Sequence, residues 1–146
     1  MTEKMSPPYS GQCLCGTIKY RVDAIESRMG HCHCTMCRKF HGSAFATFGE
    51  VKTQNFHWLA GEANLKSYVG HNNSVRQFCA TCGSSLTFAA ANSDGSVVEF
   101  TLGTLDDDID ERPEAHVFTQ YKANWFDILD DLPKYSNGRD NNLSDR

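Results

Sequence analysis

Seven cysteines stand in three tight groups: Cys13-Leu14-Cys15, Cys32-His33-Cys34-Thr35-Met36-Cys37 and Cys79-Ala80-Thr81-Cys82. Thiolates at this spacing suit a metal. Zinc takes four such ligands at ~2.3 Å in a tetrahedron. A Cys-x-x-Cys turn brings both sulfurs to one point. A Cys-x-Cys pair on extended chain puts i and i+2 on one face. Gly83 follows Cys82 and allows the close backbone approach of such a turn. Disulfides alone leave one thiol of seven over. Buried free cysteine accounts for one or two positions, not for three paired groups. A redox reading of Cys79 and Cys82 lacks a surrounding βαβ pattern. Iron is compatible with the same ligands.

Counting partitions the sulfurs. The first and third groups supply two each, and the middle group supplies three. The simplest arrangement is a closed site of Cys13, Cys15, Cys79 and Cys82, and a second site of Cys32, Cys34 and Cys37. The closed site would be structural, contributing folding free energy on the order of 10 kcal/mol. The second site has two readings. Three protein ligands with an exchangeable fourth is the pattern of catalytic zinc. A histidine in fourth place would make it structural, with His31, His33, His41, His71 and His116 as candidates. Both readings stand on the residues alone.

Short strands must position these groups. Ile18, Tyr20 and Val22 alternate within Thr17–Val22, the two-residue period of a half-buried strand. Runs at 44–48, 56–59, 65–69, 74–78, 86–88 and 97–102 read the same way, with glycines punctuating them as turns. Two helical turns are expected, over 106–112 before Pro113 and over 123–132 before Pro133. Trp58, Trp125, Tyr68, Phe88 and Phe100 read as core. The run Asp106, Asp107, Asp108 and Asp110 lacks the spacing and glycine of a calcium loop and reads as a solvated turn or a helix N-terminus. The class is mainly β, antiparallel sheets held by metal, with short helical turns.

The chain of 146 residues suits one domain, expected over 10–135, with 1–9 a loose lead-in and 136–146 a flexible tail. Lys plus Arg is 14 against 18 Asp plus Glu, a net charge of −4, which argues against a protein that neutralises nucleic-acid phosphates. No run approaches the ~20 apolar residues of a membrane helix. The opening MTEKMSPPYS lacks the apolar stretch of a signal peptide, so a cytoplasmic location, where thiols stay reduced, is expected.

The ordered set of motifs resembles the glutathione-dependent formaldehyde-activating family, which includes the centromere protein V branch. The resemblance runs from about Gly11 to Pro133. It rests on Gly11-x-Cys13-x-Cys15-Gly16, Cys32-His33-Cys34-x-x-Cys37-Arg38-Lys39-x-x-Gly42, Phe78-Cys79-x-x-Cys82-Gly83-Ser84-x-Leu86 and Trp125-Phe126-x-x-Leu129-x-Asp131-Leu132-Pro133. It implies a fold like that of Mss4, two small sheets bridged by zinc. It implies two zinc ions, one structural on Cys13, Cys15, Cys79 and Cys82, and one in the active site on Cys32, Cys34 and Cys37. It also implies a carbon–sulfur lyase chemistry, with glutathione or another small thiol and a small aldehyde such as formaldehyde as partners, joined as S-(hydroxymethyl)glutathione.

That chemistry is coherent with the residues. A thiol at the open position would lose its proton more readily and attack an aldehyde carbon. The alkoxide formed takes up a proton, for which His33 and His41 are the candidate carriers. Arg38 can bind a substrate carboxylate bidentately. The preferred reading of Arg38 and Lys39 is that they offset the net −1 of three thiolates on a divalent cation, since charge neutralisation alone would justify them. A different class of function is a non-catalytic zinc module that docks on a protein partner. A nucleic-acid zinc finger is a third, opposed by the acidic balance.

Overall fold

The computed structural model describes residues 5–139. Their contacts group them into two compact units. One takes the residues up to Ser27 together with Gly49–Arg112; the other takes Arg28–Phe48 with those from Pro113 on. The chain is mainly β, as its alternating runs indicate.

In the first unit, β1 (Tyr9–Gln12), β2 (Lys19–Val22) and β5 (Phe56–Ala60) form an antiparallel sheet in the order β1-β2-β5. Tyr9 pairs with Val22 and Gly11 with Tyr20. A Cβ at Gly11 would sit 2.3 Å from the Tyr20 ring, so only glycine lets that ring lie across the strand. Tyr20 stacks on Phe56 at 5.2 Å and meets Trp58 and Phe100 edge-on. The expected inward face holds: Ile18, Tyr20 and Val22 are buried to within 1%.

The same unit carries β6 (Leu65–Val69), β7 (Val75–Cys79), β8 (Ser85–Ala89) and β9 (Val97–Thr101), running β9-β8-β7-β6 from the later half of β4 (Ala46–Lys52). The pairings β6–β7, β7–β8 and β8–β9 are antiparallel. Val51, Leu86 and Phe100 from this sheet join Tyr9, Ile18, Tyr20 and Val22 in one apolar cluster.

The second unit is smaller. β3 (Gly30–Cys32) pairs antiparallel with the start of β4 and parallel with β10 (His116–Val117). Between β3 and β4 lies the helix α1 (Thr35–His41). The buried residues of this unit include Met29, Cys37, Ala46, Phe48, Ala115 and Ala123, but also two histidines, His33 and His116.

Several expectations need correction. Neither expected helical turn forms. Over 106–112, Asp106 N–H donates to Ser10 C=O and Asp107 Oδ2 accepts from Ser10 N–H, so β1 takes the partners that a helix would need. Over 123–132, Lys122 Nζ donates to the carbonyls of Ala123 and Phe126, and Asp130 accepts from Leu132 N–H. The helix that does form, α1, is capped by a cysteine. Tyr9, placed in a loose lead-in, is fully buried in β1 and donates to Glu111 Oε1 at 2.9 Å. The tail is also held as far as Arg139. Phe118 N–H donates to Asn137 C=O, and Arg139 reaches Glu114 and Met29 C=O. The rest of that tail, 140–146, and residues 1–4 lie outside the described residues. Tyr68 (55% exposed) and Trp125 (66%) are surface residues, not core. Phe100 is core, and Trp58 packs against it.

Candidate metal centres

Two cysteine groups form, and they are the two that counting separates. In the first unit, the sulfurs of Cys13, Cys15, Cys79 and Cys82 all lie within 4.8 Å of one another. Cys13 and Cys15 lie between β1 and β2; Cys79 ends β7, and Cys82 lies in the β7–β8 turn. The group therefore joins a hairpin of one sheet to a hairpin of the other. Measured sulfur–sulfur distances are 3.6 Å for Cys13–Cys15 and 3.7 Å for Cys15–Cys79. A tetrahedron with ~2.3 Å metal–sulfur bonds has edges of about 3.8 Å. The donor set fits zinc in both chemistry and spacing.

The surroundings favour thiolates there. Ile18 N–H, Cys82 N–H and Asn64 Nδ2 all donate to these sulfurs, at 3.3–3.5 Å. Ser84, by side chain and backbone, holds the Cys82 thiol down to about 5. Hydrogen bonding with Thr17 lowers Cys15 as well. Burial raises Cys13. Gly83 adopts φ +80 with nothing near its missing Cβ, so the turn asks for backbone conformation rather than for space.

The second group is Cys32, Cys34 and Cys37, again within 4.8 Å of one another. Cys32 ends β3. Cys34 is the N-cap of α1, with extended backbone, and its sulfur accepts from Cys37 N–H at 3.3 Å, as a serine or aspartate hydroxyl or carboxylate would. Cys37 lies one turn on, buried. Gly42 closes the helix in the left-handed conformation. Contacts from Cys34 and Cys37, then burial, push the Cys32 thiol well above its ordinary value. A divalent cation beside the Cys32 thiol would reverse that. Among the described residues, no histidine or carboxylate completes this group.

The histidines lie elsewhere. The rings of His31 in β3 and of His33 just past it each lie about 5 Å, centroid to centroid, from the ring of His116 in β10. Phe45 and Phe126 pack on them. His33 Nε2 lies 2.8 Å from His116 Nδ1, and His116 Nε2 lies 2.9 Å from Asp130 Oδ2. His31 Nδ1 meets Thr47 Oγ1 at 2.8 Å. Burial holds His31 and His33 down to about 4, so both are neutral at neutral pH. The hydrogen bond from His116 lowers Asp130. His41 stands apart from this array, edge-on to Phe48. His71 is exposed between β6 and β7. Arg38 Nη1 donates to Tyr121 C=O. With Thr35, Lys39, Gly42, Ser43 and Trp125, Arg38 lines a cavity of about 360 Å³ beside α1. Sequence reasoning missed Asp130. Its only signal was its position beside the Asp131-Leu132-Pro133 motif.

Two thiol clusters able to hold a metal, on a mainly β chain, define the class of protein. The family of glutathione-dependent formaldehyde-activating enzymes matches residues 8–121, and this chain belongs to that family. A Schizosaccharomyces pombe protein named uncharacterized lyase C29B12.13 is 31% identical over 86 residues, 59% of this chain and 61% of that protein. This chain thus spans about three fifths of the curated relative. The crystal structure of a Rhodobacter sphaeroides protein superposes with a TM-score of 0.57 at 21% identity, covering 66% of this chain and 87% of that one. That likeness is one of fold. Among the described residues, no helix is long and apolar enough to cross a membrane.

Proposed function

We propose that residues 10–135 act as a two-zinc domain catalysing carbon–sulfur bond chemistry on a thiol adduct, with glutathione and formaldehyde as the reactants that the family's description suggests. The name of the yeast relative, a lyase, agrees with that class. Cys13, Cys15, Cys79 and Cys82 are the structural ligands, and Cys32, Cys34 and Cys37 hold the reactive metal. The observation that carries this reading is the three-sulfur group with no fourth side-chain donor among the described residues.

A zinc ion bound there would supply an electrophilic centre that lowers the pKa of a bound thiol. The remaining steps belong to the chain. Arg38 and Lys39, in the cavity beside α1, attract a carboxylate-bearing thiol and orient it. The thiol sulfur forms a bond to the aldehyde carbon as the C=O π bond opens. The thiol proton leaves sulfur, and the new hydroxyl oxygen gains one. The reverse breaks the same carbon–sulfur bond, which is the lyase direction. His33, buried in the histidine array, and His41, packed on Phe48 outside it, are the candidate proton carriers.

A protein-docking role is the second reading. It is favoured by the exposed Tyr121, Trp125 and Leu129 on one short segment. X-ray absorption on the zinc-loaded protein separates the two. Seven protein sulfurs over two metals should become eight when glutathione binds. An unchanged shell with a histidine nitrogen already present would exclude thiol ligation and leave the docking role. An unchanged shell with an oxygen ligand would point to a substrate other than a thiol.

A further inference from the structure

Each sulfur of the four-cysteine group has a hydrogen-bond partner outside the group, and one of those partners belongs to both hairpins. Ile18 N–H donates to Cys13 and Asn64 Nδ2 to Cys79, each at 3.3 Å. Thr17 Oγ1 lies 3.2 Å from Cys15 Sγ, and Ser84 Oγ lies 3.2 Å from Cys82 Sγ. Ser84 Oγ also accepts from Leu14 N–H at 2.9 Å, across 70 residues of sequence. That bond fixes the direction of the other. An amide N–H can only donate, so it takes a lone pair of the hydroxyl oxygen and leaves the hydroxyl proton free. A sulfur that ligates a metal is a thiolate and can only accept. The Ser84 O–H therefore donates to Cys82. The Ser84 backbone is itself anchored, since its C=O accepts from Cys79 N–H at 3.0 Å and closes the Cys79–Cys82 turn. Leu14 is 88% exposed, yet its amide is tied down. The need for such donors is electrostatic. Four thiolates around a divalent cation carry a net charge of −2, and hydrogen bonds to charged acceptors are about twice as strong as neutral ones.

We propose that Ser84 is a positioning residue for the four-cysteine metal site: its one hydroxyl latches the Cys13–Cys15 hairpin to the Cys79–Cys82 turn and donates to the Cys82 thiolate, which keeps the four sulfurs at metal spacing and slows loss of the metal. The inference rests on the assignment of these four cysteines as metal ligands, and not on the chemistry of the three-cysteine group. The other side-chain donors each act on one hairpin. Thr17 serves Cys15, two residues away, and Asn64 reaches Cys79 and Thr81 Oγ1, the latter at 3.0 Å. Losing one of those removes a donor. Losing the Ser84 hydroxyl removes a donor and a crosslink together.

The test reads the metal and needs no turnover. The full chain is loaded with cadmium, whose nuclear resonance appears once for each site and couples to the β-protons of its own cysteines. Release of cadmium to EDTA is followed at the resonance coupled to Cys13, Cys15, Cys79 and Cys82. Ser84→Ala should release it about tenfold faster than the parent, the lower end of what second partners of metal ligands are worth. It should also shift that resonance, because a lost hydrogen bond changes the charge on a ligating sulfur. A residue that only fills space would leave the resonance in place. Ser84→Thr keeps the hydroxyl and should match the parent in both respects. A Ser84→Ala protein with parental release or an unmoved resonance overturns the proposal, as does a Ser84→Thr protein that behaves like Ser84→Ala. Amide hydrogen exchange on the parent decides the question even if the variants fold poorly. Leu14 N–H, on an exposed residue, should be protected, and exchange at the rate of a free amide would rule out the latch. A parent protein with no cadmium coupled to these four cysteines would remove the ligand assignment, and the proposal with it.

Discussion

The two cysteine clusters use one ligand type and sit in opposite kinds of surroundings. The four-cysteine cluster ties together segments 64 residues apart and touches an apolar cluster to which Cys13 and Cys79 belong. The three-cysteine cluster lies within six consecutive residues, from the end of β3 into α1. Closing the longer loop removes about 2 kcal/mol more unfolded-chain entropy than closing the shorter one. A metal in the first cluster therefore acts chiefly on folding. A metal in the second closes little chain, and none of Cys32, Cys34 and Cys37 belongs to that apolar cluster. On the proposed reading stability and chemistry fall to different sulfurs, and what separates them is how far apart the ligands lie along the chain.

The sharpest way to break this comparison is one ligand change in each cluster. Cys79→Ser should cost most of a structural site worth on the order of 10 kcal/mol, enough to exceed the whole stability of a small domain. Circular dichroism and melting should show an unfolded or molten chain. Cys34→Ser should melt within a few degrees of the parent while binding one zinc fewer by elemental analysis. A folded Cys79→Ser protein, or an unfolded Cys34→Ser one, would reverse the assignment of roles. Next in size is the apolar cluster behind the first site. Phe100→Ala, at a fully buried position, should lose about 3–5 kcal/mol in urea unfolding. A loss under half of that would mean the metal rather than the packing holds this unit.

Gly83→Ala tests the turn alone. With φ at +80 and open space around it, the added methyl meets no atom, and the cost should be about 1–2 kcal/mol of backbone strain. A null result would show that the Cys79–Cys82 turn tolerates another backbone shape. The smallest effect belongs to the surface. His57 and then Arg21 hydrogen-bond Asp23 and lower its pKa. The folded-state value lies below the unfolded one, so this stabilisation is present above the ordinary carboxylate range and is lost as pH falls through the depressed value. Asp23→Asn should flatten the acid limb of the melting-temperature profile slightly and leave the neutral region unchanged. A variant whose acid limb matches the parent would show that solvent already screens the pair.

Much of the fold was legible as alternation. Ile18, Tyr20 and Val22 announce β2, and the runs at 65–69 and 97–102 fall on β6 and β9 to within a residue. Alternation is a local property that one face of a sheet imposes on its own segment. β1, β3 and β10 were missed because they are two to four residues long, too short to show a period. The helix α1 was missed because its cap is Cys34, whose sulfur does the work usual for serine or aspartate. The turns at 106–112 and 123–132 were misread because Ser10, Lys122 and the Asp130 side chain take up backbone partners that local propensity cannot foresee.

The sequence by itself determined the local groups of sulfurs. Sulfurs two or three residues apart can converge on one point, and seven of them allow a division into four and three. Tertiary structure alone decided which other groups stand near them. That Cys13 and Cys15 meet Cys79 and Cys82 depends on two hairpins from different sheets. That His33, His116 and Asp130 form one hydrogen-bonded line depends on β3 and β10 lying parallel and on where residue 130 falls beside them. Such proximity arises from chain segments that are remote in sequence, and no spacing rule encodes it.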